Sequence, residues 1–320
     1  MSAPQGTATV AFRWAVRVVA VAGLAVVAWA LITAWGAVIH GNPAYLILLA
    51  GTAAASIAVL WRSRRSASIR SRWRRTIGII GTVAAIGWLA LMVWLRPFAA
   101  VETALAAMTS DASVTVSEYP TQIVMTPTGA ATGTGVFFQP GARVDARAYA
   151  GTLRPLAEAG HTVVITKQPL GIAFLSIFAF GPVADALPEV SRWIVGGHSL
   201  GGTVASMQAE AQRDRRPPIT GLLLYASYPA SDMSDSLTID VLSVSGSNDG
   251  LATPEKIVAS RVDLPETTIF VVIEGGVHAY FGDYGPQPGD GTPTISQDLA
   301  RKEISEVTLE FVNALTPPGT

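Results

Sequence analysis

Three long runs without a charged side chain dominate the first hundred residues of this 320-residue chain. They cover residues 18–39, 41–61 and 76–95, so each is about 20 residues long. A helix rises about 1.5 Å per residue and the hydrocarbon core of a bilayer is roughly 30 Å thick, so each run is long enough to cross it. The sequence therefore predicts that residues 1–100 form a membrane anchor of three transmembrane helices.

The distribution of charge predicts how this anchor is oriented. Residues 1–100 carry ten Arg and no acidic residue, and seven of these Arg lie in the connector between the second and third runs. Short Arg-rich connectors stay on the cytoplasmic side of a membrane. The chain would then cross the plasma membrane several times and place everything after Arg96 outside. A signal peptide is the alternative interpretation of the first run, and it would not change the side on which the later residues lie.

The rest of the chain differs in charge and in pattern. Residues 101–320 carry 12 basic and 23 acidic residues, and short β-branched runs begin near residue 113. The chain has no Cys, which excludes cysteine nucleophiles, disulfides and thiolate metal sites. We expect residues 101–112 to form a short linker and residues 113–320 to form one extracytoplasmic domain.

The pattern in this domain predicts a sheet with helices on both faces. Two paired strands are expected at residues 114–118 and 121–125. The later apolar runs are continuous, as is typical of strands that are buried on both faces of a parallel sheet. These runs cover residues 135–138, 162–165, 193–196, 221–225, 241–244 and 268–273. Helical patterns fill the gaps and the C-terminal region, so the fold class is α/β with three layers and a mostly parallel sheet.

A glycine-rich motif follows the strand expected at residues 193–196. Residues 196–202 read Gly-Gly-His-Ser-Leu-Gly-Gly, which contains G-x-S-x-G at the junction of a strand and a helix. In that context Ser199 lies on a sharp turn that exposes its hydroxyl, and the residues two before and two after it must lack bulky side chains. The hydroxyl of such a serine needs an imidazole to take its proton, and the imidazole needs a carboxylate to fix its tautomer.

Suitable partners follow two later strands. Asp249 comes after the strand expected at residues 241–244, and His278 comes after the last strand. The chain order of serine, acid and histidine is the order that this strand–turn–helix motif requires. Asp240 is a rival for the acid, but it precedes its strand and would lie at the opposite end of the sheet. The sequence therefore predicts a catalytic triad of Ser199, Asp249 and His278.

With these residues the chain resembles the α/β-hydrolase superfamily, in particular compact, lidless hydrolases related to dienelactone hydrolases. The resemblance covers about residues 113–316 and rests on residues 197–202, 248–250 and 275–278. It implies a three-layer α/β-hydrolase domain in which Ser199 is the nucleophile, His278 the general base and acid, and Asp249 the orienting carboxylate.

The resemblance also nominates donors for an oxyanion hole. One is the amide of Leu200, the residue after the nucleophile. The other should follow the strand at residues 135–138, where many relatives carry a His-Gly pair. Alignment of Pro140 and Gly141 with that pair nominates the amide of Ala142, with Gly141 as the fallback because proline has no N–H.

Two segments are candidates for contact with a substrate. Residues 169–180 are strongly apolar and most simply predict a buried core helix. The alternative is an apolar pocket beside Ser199, to which Leu170 and Phe174 would contribute. The loop after His278 begins with Tyr280 and Phe281 and contains many turn-forming residues, which favours a rim that touches substrate.

Together these features predict a membrane-anchored serine hydrolase. It would cleave a small or lipid-like carboxylic ester, or a related acyl substrate, through an acyl-enzyme. We expect no metal and no cofactor, because neither a P-loop nor a zinc-protease motif is present and G-x-G precedes a strand instead of following one. With 50% hydrophobic and only 14% charged residues, the chain is also not expected to bind nucleic acid. An acyltransferase with the same triad and a non-catalytic envelope receptor or assembly protein on this fold are the alternatives. The sequence leaves the oligomeric state open.

Overall fold

The computed structural model describes residues 7–64 and 72–317 and divides the chain into two compact units. The first unit ends at Arg96, and the second begins at Pro97 and also includes His40–Asn42. The α-helices are α1 (Thr7–His40), α2 (Pro43–Ser63), α3 (Arg72–Trp94), α4 (Glu102–Ala106), α5 (Ala150–Glu158), α6 (Phe180–Ala186), α7 (Leu200–Ala211), α8 (Pro254–Ala259) and α9 (Gln297–Ala314).

The first unit consists of α1, α2 and α3. Within the described residues, three spans are long and apolar enough to cross a bilayer: Val10–His40, Pro43–Ser63 and Thr76–Trp94. The first begins eight residues earlier than the sequence predicted. Polar side chains join α2 to α3, since Tyr45 Oη donates to the carbonyl of Met92 at 2.7 Å. Two arginines of the predicted cytoplasmic connector, Arg65 and Arg70, lie outside the described residues.

The second unit is built on one sheet of eight strands within residues 97–317. The strands are β1 (Val114–Glu118), β2 (Gln122–Pro127), β3 (Thr134–Gln139), β4 (Thr162–Thr166), β5 (Arg192–His198), β6 (Ile219–Tyr225), β7 (Asp240–Gly246) and β8 (Ile269–Ile273). Their order is β1-β2-β4-β3-β5-β6-β7-β8. The pairs β1–β2 and β2–β4 are antiparallel, and the other pairs are parallel. The predicted fold class is therefore confirmed.

The continuous apolar runs are explained by two separate cores. In β3, Val136 and Phe138 pack in one core with residues of α5 and α9, whereas Phe137 packs in the other with residues of α6 and α7. Because successive side chains of a strand point to opposite faces, a strand covered on both sides needs apolar residues at every position. The sheet thus forms the middle of three layers, and the carboxyl ends of β3, β5, β6, β7 and β8 share one edge.

Residues 101–112 differ from the linker that the sequence predicted. They include α4, in which Ala104 is fully buried. Arg154 on α5 donates from Nη1 to the carbonyls of Ala107 and Thr109, both at 2.8 Å. These contacts make the segment part of the second unit, and the apolar pattern alone did not indicate them because the arginine lies far along the chain.

Candidate active site

Ser199 occupies the sharp turn between β5 and α7. Its backbone has φ 52° and ψ −125°, a left-handed region that a residue with a Cβ rarely adopts. The turn is held on both sides, because the Ser199 amide donates to Tyr225 O at 2.9 Å and Ser227 Oγ donates to Ser199 O at 2.7 Å. The side chain is half-buried. This strained turn places the Ser199 hydroxyl at the carboxyl edge of the sheet.

Two glycines make room for this turn. A Cβ on Gly197 would lie 2.6 Å from the carbonyl oxygen of Gln139, and a Cβ on Gly201 would collide with the carbonyls of Gln139 and Pro140. The backbone after β3 therefore packs directly on the serine turn. Only glycine fits at these two positions, which is the steric reason for the spacing in the G-x-S-x-G motif.

Asp249 and His278 form a buried pair. Asp249 Oδ2 lies 2.9 Å from His278 Nδ1, and both side chains are almost fully buried. Asp249 Oδ1 accepts the backbone N–H groups of Leu251 at 2.7 Å and Ala252 at 2.8 Å. Because the carboxylate is fixed by these amides, Oδ2 accepts the Nδ1–H of the imidazole. The tautomer assigned in this way leaves the lone pair on His278 Nε2, where a general base needs it.

Ser199 and His278 meet at the same edge without a direct hydrogen bond. Within residues 72–317, the hydrogen bonds of Ser199 involve its backbone only. The ring of His198, the residue before the serine, lies 4.5 Å from the ring of His278, measured between centroids. Nucleophile–base bonds are often long before substrate binds. The structure thus joins the predicted acid to the predicted base and places the base against the neighbour of the predicted nucleophile.

His198 is part of a buried hydrogen-bonded chain that the sequence did not reveal. The Gly141 amide donates to Tyr149 Oη at 2.8 Å, and Tyr149 Oη lies 2.8 Å from His198 Nδ1. The hydroxyl thus accepts the Gly141 N–H and shares a second hydrogen bond with His198 Nδ1. Burial holds the pKa of His198 well below its usual value, so this ring is neutral. These contacts give His198 a structural role.

The hydrogen bond from Gly141 to Tyr149 excludes one of the nominated oxyanion donors. The N–H of Gly141 is already bonded to Tyr149, so Gly141 does not serve as the fallback. The amides of Leu200 and Ala142, by contrast, donate to no acceptor within the described residues. Leu200 is the first residue of α7, where an amide has no partner in its own helix. Two free donors therefore lie on the two segments that pack together at Gly201.

The nominated substrate residues divide into two groups. Phe281 is fully buried and stacks on His198 with an interplanar angle of 14°, so it belongs to the core and not to a rim. Tyr280 is half-buried against the same core. Leu170 is half-buried in a left-handed turn with φ 57°, and Phe174 is 47% exposed. Of the nominated residues, Tyr280, Leu170 and Phe174 therefore remain accessible.

The apolar segment 169–180 does not form the buried helix that the sequence predicted. It forms two short 3₁₀ turns, Pro169–Gly171 and Ala173–Ser176, before α6 begins at Phe180. Phe174, Leu175 and Phe178 are 47%, 56% and 84% exposed.

Two buried glutamine side chains form hydrogen bonds with this segment. Ser176 Oγ donates to Gln139 Oε1 at 3.1 Å, and Gln208 Nε2 donates to the carbonyls of Ser176 and Ile177 at 3.3 and 2.8 Å. Gln139 and Gln208 were not identified from the sequence, since a glutamine in an apolar run carries no signal of its partner.

The chain is similar to several known proteins. Similar solved structures include a putative dienelactone hydrolase from Klebsiella pneumoniae (13% identity, 64% of this chain and 97% of that one, TM-score 0.49). Others are a thermostable esterase from Pseudomonas putida (15%, 67% and 88%, 0.48) and a predicted hydrolase from Thermoplasma acidophilum (14%, 63% and 99%, 0.49). Among curated proteins, no match was found. A family model described as the alpha/beta hydrolase family matches residues 135–302, which is more than half of the chain. The chain therefore belongs to the alpha/beta hydrolase family.

Proposed function

We propose that this protein is a membrane-anchored serine hydrolase that cleaves a carboxylic ester or related acyl substrate. The observation that carries the proposal is the buried Asp249–His278 pair at 2.9 Å beside the strained turn of Ser199. A carboxylate that fixes an imidazole next to an accessible, half-buried serine is the arrangement that acyl transfer to serine requires.

The proposed reaction begins at Ser199. Its Oγ attacks the carbonyl carbon of the ester while its proton moves to His278 Nε2, and the negative charge on the former carbonyl oxygen is stabilised by the amides of Leu200 and Ala142. Collapse of this intermediate breaks the ester C–O bond, and the imidazolium returns its proton to the leaving alkoxide. Water then attacks the acyl-enzyme through the same base, which releases the acid and restores Ser199.

The surroundings of the site support an apolar or lipid-like acyl group. Phe174, Leu175 and Phe178 are exposed on the segment after β4, at the edge of the sheet that carries Ser199. An aliphatic chain would gain about 25 cal/mol for each Å² of apolar surface that it covers.

Labelling with a fluorophosphonate probe tests the proposed function. We expect the full-length protein in detergent to be modified once, with the phosphonate on the peptide that contains Ser199. Hydrolysis of nitrophenyl esters should disappear in parallel with the labelling. Absence of both labelling and hydrolysis would contradict the proposal and favour a non-catalytic role.

We further propose that the hydrolase unit lies outside the cytoplasm. The proposal is supported by three spans long enough to cross a bilayer and by the arginines between the second and third of them. A reporter enzyme that is active only in the cytoplasm should be inactive when fused after Thr320 and active when fused after Arg64. The opposite pattern would contradict this orientation.

A further inference from the structure

One carboxylate contacts both loops that hold the acid and the base. Asp290 lies in the loop that follows His278, and both of its oxygens accept backbone N–H groups. Its donors are Gly250 at 3.2 Å, His278 at 3.1 Å and Gly291 at 2.7 Å to Oδ1, and Ala279 at 2.8 Å to Oδ2. Gly250 directly follows Asp249. Asp290 therefore accepts the N–H of His278 itself and the N–H of the residue after Asp249.

The backbone hydrogen bonds that join these two loops directly end before the acid and the base, at Ser247 N to Ile273 O (3.1 Å) and Asn248 N to Gly276 O (2.9 Å). The pairing of β7 with β8 ends at Gly246 and Ile273, several residues before Asp249 and His278. The segment around Asp290 crosses this gap: Asn248 Nδ2 donates to Thr292 O at 3.0 Å. A Cβ on Gly250 would lie only 2.7 Å from the carbonyl oxygen of Gly289. Residues 289–292 therefore form a second link between the two loops, next to Asp249 and His278.

We propose that Asp290 is a positioning residue that sets the distance and angle between Asp249 and His278. The proposal rests on the proposed function, because it concerns the geometry of the same triad. An ionised carboxylate is suited to this task, since all of its lone pairs accept and hydrogen bonds to it are roughly twice as strong as neutral ones. An amide would place an NH₂ group against one of the four N–H donors.

A graded pair of substitutions tests this role. Asp290→Ala removes all four acceptor contacts. Asp290→Asn keeps one oxygen, which can still accept the three N–H groups that now bond to Oδ1. Its NH₂ group, however, would face the N–H of Ala279, so that two donors would meet. Asp214→Asn makes the same change of charge at a side chain that is 97% exposed, and it is the matched control.

The measurement is the rate of fluorophosphonate labelling of the full-length protein, together with the fraction that is labelled at completion. A misplaced base costs on the order of 100-fold in rate. We expect Asp290→Ala to lower the labelling rate constant and kcat/KM by about that factor, with Asp290→Asn between Asp290→Ala and wild type and Asp214→Asn at the wild-type rate. The labelled fraction should stay near that of wild type.

The outcomes separate this proposal from the proposed function. An active wild type with unchanged rates in both Asp290 variants would overturn the positioning role alone. A lower labelled fraction with a wild-type rate constant for the labelled molecules would also overturn it, because Asp290 would then only stabilise the fold. A wild type that neither labels nor hydrolyses esters would instead remove the proposed function.

Discussion

Replacement of Ser199 by alanine is expected to lower kcat for nitrophenyl esters by at least about 10⁴-fold, since loss of a nucleophilic serine typically costs 10⁴- to 10⁶-fold. The substitution removes only Oγ, and alanine keeps the Cβ that already occupies the turn at φ 52°. The fold should therefore be retained, and the unfolding midpoint should match that of wild type. The measurement is steady-state hydrolysis by the full-length protein over a series of acyl chain lengths.

A serine at the other end of the same strand supplies the control. Ser191 precedes β5, is exposed, and donates from Oγ to Gly133 O at 3.1 Å. Ser191→Ala should keep wild-type activity. If Ser199→Ala retained more than about a tenth of the wild-type rate, the nucleophile would have to be another group.

Replacement of Asp249 by asparagine is expected to lower kcat by about 10⁴-fold, as found when the acid of such a triad becomes an amide. The reason is the tautomer of His278. The amides of Leu251 and Ala252 already bond to Oδ1, so an asparagine would keep its oxygen there and turn its NH₂ toward His278 Nδ1. Nδ1 would then accept, the ring proton would move to Nε2, and Nε2 could no longer take the proton of Ser199.

The rival acid is the control for this prediction. Asp240 is the exposed first residue of β7, at the opposite end of the strand from Asp249. Asp240→Asn makes the same chemical change and should leave kcat unaltered. Equal losses in the two variants, or a loss confined to Asp240→Asn, would contradict the assignment of Asp249.

The strands were predictable because their signal is local. In β3 and in the parallel strands around it, apolar residues occupy successive positions, and each strand is covered by helices on both faces. Burial on both faces depends on the composition of a few adjacent residues, which can be read without knowledge of the rest of the chain. The turn at Ser199 was predictable from the spacing of its glycines, although contacts that require them come from Gln139 and Pro140 on the segment after β3.

The errors concern residues whose partners lie on other segments of the domain. Phe281 was predicted to lie at the rim of the site, but it stacks on His198. Gly141 was nominated as an oxyanion donor, but its N–H donates to Tyr149. Residues 169–180 were predicted to form a buried helix from their apolar composition. That composition does not reveal the hydrogen bonds that the segment forms with Gln139 and Gln208. Whether an amide is free or a ring is exposed depends on the residues that surround it.

The sequence by itself determined the fold class, the order of the strands along the chain and the identity of a serine, an acid and a histidine that follow strand ends. Periodic burial and backbone sterics act over a few residues, so these features are written locally. Only the tertiary structure decided which amides are free, how His278 is oriented and that Asp290 ties its loop to that of Asp249. Those properties depend on distances between atoms on separate loops, and the packing of the whole sheet sets such distances.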